Sequence, residues 1–332
     1  MTPGDARVFS GIQPTGDLHL GNWLGAIERW VELTERYECI YAIVDLHAIT
    51  VPSEPEALRQ RVFEVAVTLI AAGLDPDRCT LYVQSDVPEH AQLAWLLNTV
   101  TPIGELGRMT QFKDKSERVE AVSAGLLNYP ILQAADILLY RAGLVPVGED
   151  QRQHLELSRE IARRWNARFG ELFPEPQPLI GGAARVLGLD GVSKMSKSQD
   201  NTIPMLAGPD ELWAVVRTAV TDPARVRKDD PGNPNVCNVF ALHAHFTDAD
   251  GCDEIEVRCQ TATIGCVACK RRLADAIAAR LAPIRERAAE LRAHPERVRE
   301  ILGDGAARAR SIAGPVLAEA EQRMGLGAPP AV

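Results

Sequence analysis

His19, Gly21 and Asn22 lie in a turn whose residue types suit phosphate binding. An apolar run over 8–12 ends in a turn that contains Pro and Gly, and apolar residues then recur at helical spacing. Backbone N–H groups at a helix start are unpaired and carry partial positive charge, so such a turn can hold a phosphate. Gly21 would let a nucleotide lie against the backbone, and His19 and Asn22 could both donate to one phosphoryl group. A helix start with an incidental histidine is the alternative.

A second candidate lies far downstream, where Lys194 and Lys197 enclose Met195 and Ser196 in a polar loop. Two ammonium groups on a flexible loop could close over an anionic ligand and stabilise its charge. A solvated linker is the bland interpretation of this composition. The pairing of this loop with the 15–22 turn is rarely seen by chance, so we predict that the two segments belong to one site.

Tyr129, Gln133 and Asp136 are spaced at i, i+4 and i+7, which aligns them on one face of an apolar helix predicted over 131–142. Burying an ionised carboxylate without partners costs several kcal/mol, so Asp136 needs a donor such as an ammonium or an indole N–H. A structural salt bridge or a helix cap is the alternative.

Four cysteines, Cys237, Cys259, Cys266 and Cys269, have the spacing C-x21-C-x6-C-x2-C. Four thiolates suit either tetrahedral zinc or an iron–sulfur cluster, and spacing alone does not choose between them. Unligated thiols are the third interpretation. Cys252 lies between them as a substitute ligand, while the other two of the seven cysteines fall in the first half of the chain.

The elements that must position these residues alternate between strands and helices in the first half of the chain. Runs over 8–12, 39–44 and 80–83 read as strands, and 56–72 reads as a helix that stops at Gly73. Such alternation predicts an α/β fold with a doubly wound parallel sheet, whose ligands bind at the carboxyl ends of the strands. His47 follows the second strand and would face that edge, unless it is a solvated loop histidine.

The rest of the chain reads as mostly helical. Residues 88–170 are helical apart from a strand over 144–147, and after Gln199 the pattern changes to helices joined by polar turns. Two long helical patterns rich in Ala, Arg and Leu, parted near Pro295, close the chain. We therefore predict a second, mostly α-helical domain.

Composition sets bounds on the class of protein. The chain has 332 residues, of which 46% are hydrophobic and 24% charged, so it can bury a sizeable core and fits two domains. No apolar run approaches the roughly 20 residues needed to span a bilayer, and the N-terminus does not read as a signal peptide, so we expect a soluble cytoplasmic protein. The net charge of −9 excludes a generally basic surface, so any nucleic acid must bind local basic patches. In a reducing cytosol the cysteines are expected as buried thiols or metal ligands rather than disulfides.

The segments 15–22 and 194–198 resemble the two signature motifs of class I aminoacyl-tRNA synthetases, with Asn22 where most of that class have His. Three further stretches, 109–115, 129–140 and 146–151, are similar to bacterial tryptophanyl-tRNA synthetases. The resemblance covers nearly the whole chain. It implies ATP with Mg²⁺ as a substrate, tryptophan as the amino acid and tRNA(Trp) as the partner.

The resemblance also assigns roles to residues. It implies ATP contacts for Gln13, Thr15, His19, Gly21, Asn22, Gly148, Asp150, Lys194, Met195, Ser196 and Lys197. It implies a tryptophan pocket of Phe9, His47, Gln111, Tyr129, Gln133, Asp136, Val145, Val147 and Gln151, in which Asp136 reads the indole nitrogen. The implied catalytic residues are Lys194, Lys197, Lys115, His19 and Asn22. Bacterial members often have Met at the position of Gln133, which adds a donor and an acceptor to the pocket wall here.

The implied domains are a Rossmann-like catalytic domain over 1–200 with a helical insertion at about 100–140, a helical anticodon-binding domain over 201–293, and a helix over 294–332 that returns to the nucleotide fold. The resemblance also implies a homodimer, whose two copies meet through this insertion. A subset of the family holds a 4Fe-4S cluster on a nearly identical cysteine pattern, so the cluster is preferred and zinc is the alternative. Basic clusters over 225–228 and 270–272 are either phosphate contacts or solvated faces.

Three rival functions remain open. A related nucleotidyltransferase that activates a carboxylate would keep both motifs but would need no anticodon domain. A non-catalytic paralogue would have lost Lys194, Lys197 or Gly21, and all three are present. A tyrosyl-tRNA synthetase would need a partner for the phenol hydroxyl deeper than Asp136.

Overall fold

The computed structural model describes residues 6–116, 121–148, 151–179 and 186–327, without the side chains of Asp114, Lys115 and Ser198. Its centre is a parallel sheet of β1 (Arg7–Ile12), β2 (Glu38–Ile43), β3 (Cys79–Val83), β4 (Leu144–Val145) and β5 (Gln177–Pro178). The strand order is β3-β2-β1-β4-β5, so the direction of winding reverses between β1 and β4. The predicted doubly wound parallel sheet is confirmed, and its switch point is where such folds bind ligands.

Helices cover both faces of this sheet. They are α1 (Leu20–Asn22), α2 (Glu28–Leu33), α3 (Asp45–Ala48), α4 (Pro55–Ala71), α5 (Glu89–Asn98), α6 (Ile103–Leu106), α7 (Thr110–Ser116), α8 (Ala124–Leu138) and α9 (Arg152–Phe169). A π-helical turn, Trp23–Ile27, joins α1 to α2. Successive residues along each strand point to opposite faces of the sheet and pack into two hydrophobic cores, with Tyr41 in one and Tyr82 in the other. Both faces of the sheet are thus buried, which explains the continuous apolar runs of its strands.

Helix α8 differs from its predicted bounds of 131–142. It begins after Ser123, whose Oγ accepts a hydrogen bond from the backbone N–H of Leu126 at 3.2 Å, and it ends at Leu138. Pro130 lies inside the helix. Shortly after the helix ends, Arg141 has a positive φ of 49°, which turns the backbone out of the helical path. The cap, rather than the apolar run, therefore sets where the helix begins.

Two smaller differences concern the strands beyond β3. The predicted strand over 144–147 is only two residues long, and β5 was not predicted at all. A two-residue strand that contains Pro178 has no alternating pattern to read, because the pairing depends on the neighbouring strand.

The second half of the chain is helical, as predicted: α10 (Pro209–Val216), α11 (Asn238–Phe246), α12 (Ala249–Gln260), α13 (Cys266–Ala293) and α14 (Pro295–Arg323). Helix α14 packs directly on β3. A Cβ on Gly305 would lie 1.8 Å from the Leu81 carbonyl oxygen, so only glycine allows this approach. Arg310 of α14 also pairs with Glu89 of α5 at 3.2 Å. No helix within the described ranges is long and apolar enough to cross a membrane.

Candidate functional site

The turn after β1 leads directly into helix α1 at the switch point of the sheet. Gly16 has a φ of +135°, a conformation that side chains rarely adopt, and His19 is the N-cap residue of α1. The Asn22 side-chain oxygen accepts a hydrogen bond from the His19 backbone N–H at 3.1 Å. Asn22 therefore stabilises the start of the helix with its oxygen, and its amide nitrogen is the group left to meet a ligand.

The segment just after the lysine loop pairs with this turn through backbone hydrogen bonds. The Leu20 N–H donates to the Ile203 carbonyl at 2.9 Å, and the Met205 N–H donates to the Leu18 carbonyl at 3.0 Å. Asn201, which is buried, supports the loop from below, because its side-chain oxygen accepts from the Ser196 backbone N–H at 2.8 Å. The two segments that lie far apart in sequence are thus brought together, as the pairing of motifs predicted.

Two glycines allow the close contact between the turn and the loop. A Cβ on Gly21 would lie 3.0 Å from His19 Nδ1 and 3.1 Å from Met195 Cβ. A Cβ on Gly16 would lie 3.3 Å from Lys197 Nζ, so the ammonium group sits over the turn. A larger residue at Gly21 would push the loop away from the helix start.

The charges here depend on burial. Burial, with the neighbouring Lys197 and Lys194, lowers the pKa of His19 to about 4, so its imidazole is neutral near pH 7. Its Nδ1 is buried and has no hydrogen-bonding partner among the described residues. Partial burial of the Lys197 ammonium lowers its pKa to about 8; the charge of Asp17 opposes this shift and that of Arg61 adds to it. Lys194 is exposed. The arrangement offers cationic ammonium groups and a neutral donor to an anionic ligand.

Asp136 forms the centre of a second cluster at the carboxyl edge of the sheet. It is 1% exposed, and its Oδ2 lies 2.8 Å from His47 Nε2. Its Oδ1 accepts from Gln84 Nε2 at 2.6 Å and lies 2.6 Å from His90 Nδ1. Burial raises the pKa of Asp136, but the hydrogen bond from His47 and the charge and hydrogen bond of His90 outweigh it and hold the pKa below its usual range. The buried carboxylate is therefore ionised.

Gln84 and His90 were missed by the sequence analysis. Gln84 directly follows β3 and His90 is in the first turn of α5, so both stand at the same sheet edge as His47. The far nitrogen of His90, Nε2, lies 2.9 Å from the hydroxyls of both Tyr82 and Tyr140. A polar residue immediately after a predicted buried strand was the available signal, and it had been used only for His47.

A third cluster joins Tyr129, Gln111 and Gln151 of the implied tryptophan pocket. The Tyr129 hydroxyl lies 3.0 Å from His154 Nε2 and 3.3 Å from Gln111 Oε1, and His154 Nδ1 lies 3.1 Å from Gln151 Oε1. His154 is 1% exposed and was also missed. It connects α8 to α9 and so fixes the distance between Tyr129 and Gln151.

The remaining predicted residues lie around these clusters. Phe9 of β1 and Val145 of β4 are buried on either side of the switch point, and Phe9 stacks on Tyr140 at 5.6 Å. Six more are half-buried or exposed near the same strand ends and α8: Gln13, Thr15, Gln133, Val147, Gly148 and Ser196. Asp150 and the side chain of Lys115 lie outside the described residues.

Four of the five cysteines in the second half, Cys237, Cys259, Cys266 and Cys269, lie near the start of α13. Arg225 Nη1 lies 3.8 Å from the sulfurs of both Cys259 and Cys266. Burial, followed by the nearby Cys237, Cys259 and Cys266, raises the pKa of Cys269 to about 12. No three potential ligands in the described part of the chain are grouped closely enough to hold a metal ion. The metal site therefore stays a prediction.

The two basic clusters differ in what their side chains contact. Lys270, Arg271 and Arg272 are engaged within the protein: they contact the Arg217 carbonyl, the Trp213 ring and Glu254 respectively. Arg227 and Lys228, by contrast, have exposed side chains beside the cysteines. The 225–228 cluster is thus the one whose charged side chains face solvent.

Comparison with known proteins agrees with this geometry. Residues 1–282 match the family model described as tRNA synthetases class I (W and Y). The chain is 51% identical over 325 residues to a tryptophan–tRNA ligase of Deinococcus radiodurans, covering 96% of this chain and 98% of that one. It is 44% identical to a tryptophan–tRNA ligase of Caldanaerobacter subterraneus over 96% of this chain and 98% of that one. A crystal structure of the Campylobacter jejuni tryptophanyl-tRNA synthetase, complexed with ADP and tryptophan, superposes with a TM-score of 0.91 at 37% identity, covering 96% of this chain and all of that one.

Proposed function

This chain belongs to the class I tRNA synthetases for tryptophan and tyrosine and acts as a tryptophan–tRNA ligase, and we propose that Asp136 is the group that selects tryptophan. The observation that carries the proposal is a buried carboxylate at the carboxyl edge of the sheet, with three side chains hydrogen-bonded to it. His47, Gln84 and His90 occupy three of the acceptor positions of this carboxylate. An indole N–H is a neutral donor that could occupy the fourth.

The reaction has two steps. The tryptophan carboxylate attacks the α-phosphorus of ATP in line and displaces pyrophosphate, and the terminal ribose hydroxyl of tRNA then attacks the mixed anhydride. No side chain has to act as a nucleophile, so the protein contributes positioning and charge stabilisation. The ATP is expected to arrive with Mg²⁺ on its phosphates.

Individual roles follow from where the groups lie. We propose that Lys197 and Lys194 stabilise charge on the leaving pyrophosphate, since the Lys197 ammonium lies over the turn at Gly16. Neutral His19 and the Asn22 amide would donate to phosphoryl oxygens at the start of α1. Tyr129 and Gln151, tied together by His154, would hold the α-amino group.

The test is pyrophosphate exchange dependent on amino acid, run with each of the twenty amino acids. We expect exchange with tryptophan and hardly any with tyrosine or phenylalanine. Equal turnover of tyrosine would favour the tyrosyl assignment instead. Exchange with tryptophan but no charging of tRNA would favour a carboxylate-activating nucleotidyltransferase.

We also propose the domain division given above, with 201–293 as the anticodon-binding part. The exposed Arg227 and Lys228 are suited to tRNA phosphates there. Charged tRNA serves the ribosome, so we place the activity in the cytoplasm. Replacing both residues with Ala should weaken tRNA charging and leave tryptophan activation intact.

The cysteines suit a 4Fe-4S cluster in donor type, and Arg225 brings a positive charge that would offset four thiolates. We propose that Cys237, Cys259, Cys266 and Cys269 hold a structural cluster. Protein purified without oxygen should be coloured and contain iron and acid-labile sulfide. Cys266→Ser should lose both, whereas Cys252→Ser, in the same region, should keep them. A colourless protein with one equivalent of zinc would replace the cluster with the zinc alternative.

A homodimer is the last part of the proposal. Trp95 of α5 and Ile103 of α6 are each 72% exposed, so both present large apolar side chains to a partner surface. A second copy of the chain would cover them. Sedimentation should give a dimer at micromolar concentration, and Trp95→Glu should give a monomer. A monomeric wild-type protein would contradict this.

A further inference from the structure

The side chains around Asp136 occupy most of the acceptor positions of its carboxylate, whereas the indole of tryptophan has one N–H to offer. Each carboxylate oxygen has two in-plane acceptor positions. Gln84 Nε2 and His90 Nδ1, both 2.6 Å away, occupy the two positions of Oδ1. His47 Nε2 occupies one position of Oδ2 at 2.8 Å. Among the contacts of the described residues, one acceptor position, on Oδ2, is left for a substrate donor.

The hydrogen on His90 Nδ1 follows from the chemistry of its partner. An ionised carboxylate can only accept, so Nδ1, 2.6 Å from Asp136 Oδ1, must carry a hydrogen and donate it. The hydroxyls of Tyr82 and Tyr140 both lie 2.9 Å from the other ring nitrogen, Nε2. The tyrosine pair therefore holds the ring with Nδ1 directed at the carboxylate.

Gln84 also directs a donor at Asp136, and this leaves its own carbonyl oxygen without a partner among the described residues. A carboxylate cannot donate, so the amide must turn its nitrogen toward Asp136. Its oxygen, Oε1, is then buried with no hydrogen-bonding partner in the described part of the chain. A buried polar atom without a partner is unfavourable, so this orientation persists because the contact with the carboxylate outweighs it.

We propose that His90, supported by Gln84, is a specificity-determining positioning residue: it fills Oδ1 and directs the substrate N–H to the one open acceptor position of Asp136. The inference rests on the proposed role of Asp136 in reading the indole. His90 is fully buried and lies behind the carboxylate, so it acts through Asp136.

The experiment compares tryptophan with 3-(3-benzothienyl)alanine, in which sulfur replaces the indole N–H. The measured quantity is the ratio of kcat/KM for the two substrates in pyrophosphate exchange. The wild-type enzyme should prefer tryptophan by roughly tenfold or more, as expected for a hydrogen bond to a charged group. Absence of tryptophan-dependent exchange would overturn the proposed function, and equal use of both substrates would overturn the role of Asp136.

Two substitutions of His90 separate its two nitrogens. In His90→Asn the amide nitrogen takes the place of Nδ1 and can still donate to Asp136, whereas in His90→Gln it reaches the place of Nε2 and does not. We expect His90→Gln to lower the preference for tryptophan by roughly fivefold or more and His90→Asn to keep it within about twofold. An unchanged ratio in both, or an equal loss in both, would overturn the proposal.

Loss of stability is controlled separately. Tyr41→Phe removes another buried hydroxyl of the same sheet, one that donates to the Trp30 carbonyl at 2.9 Å, and should leave the ratio unchanged. Gln84→Met is close in shape and removes the second donor to Oδ1, so it should lower the ratio even if the His90 variants do not fold. A Gln84→Met enzyme with the wild-type ratio would contradict the proposal.

Discussion

Where the ATP phosphates would bind, backbone hydrogen bonds join the opening turn to the segment just after the lysine loop, and the charged ends of Lys194 and Lys197 remain available to a ligand. Where the indole would bind, the groups are buried side chains that already bond to one another around Asp136. The difference matches the ligands. Phosphate charge is bound by any well-placed cation or N–H, whereas one N–H on a flat ring is recognised only by an acceptor whose direction is held.

The largest expected effect tests the ATP half. Lys197→Ala removes the ammonium over Gly16, so kcat for tryptophan activation should fall by roughly 10² or more, because charge on the pyrophosphate loses its stabilisation. Tryptophan affinity, measured by equilibrium binding, should change far less. Lys270→Ala, at a lysine that contacts the Arg217 carbonyl in the second half, is the matched control. A wild-type activation rate in the Lys197 variant would end the assignment.

Next in size is the effect on the tryptophan half. Asp136→Ala leaves His47, His90 and Gln84 without an acceptor, and we expect a loss of about 1 to 3 kcal/mol in kcat/KM for tryptophan, with little change for ATP. A parallel measurement of the free energy of unfolding should also fall, because three buried donors lose a partner. Unchanged kcat/KM for tryptophan would mean that the cluster is purely structural.

The smallest effect concerns pH and sharpens the contrast between the two halves. Since the pKa of Lys197 is lowered to about 8, its ammonium loses its proton as pH rises through that value. In the free enzyme, kcat/KM for ATP should therefore fall above pH 8, by up to about tenfold per pH unit. Lys197→Arg should remove this decline, since guanidinium stays charged. Tryptophan binding should show no matching decline, because the pKa of Asp136 is held below its usual range.

By itself, the sequence determined the type of fold and which motifs carry chemistry. The period of the apolar residues and the turns between them predicted a doubly wound sheet, since these signals are local. The residues His19, Lys197 and Asp136 were predicted from residue type and spacing, since a charged or polar group in an apolar or glycine-rich setting needs a local explanation.

What only the tertiary structure decided is which distant groups meet. The one local signal for Gln84 is its place after a predicted strand, and His90 has none; both become important because three parallel strands bring their carboxyl ends to one edge beside α8. The short strand β5 and the start of α8 were likewise decided by a neighbouring strand and by one capping hydroxyl. Hydrogen bonds between residues 46 or 52 positions apart depend on the path of the chain, which no local pattern encodes.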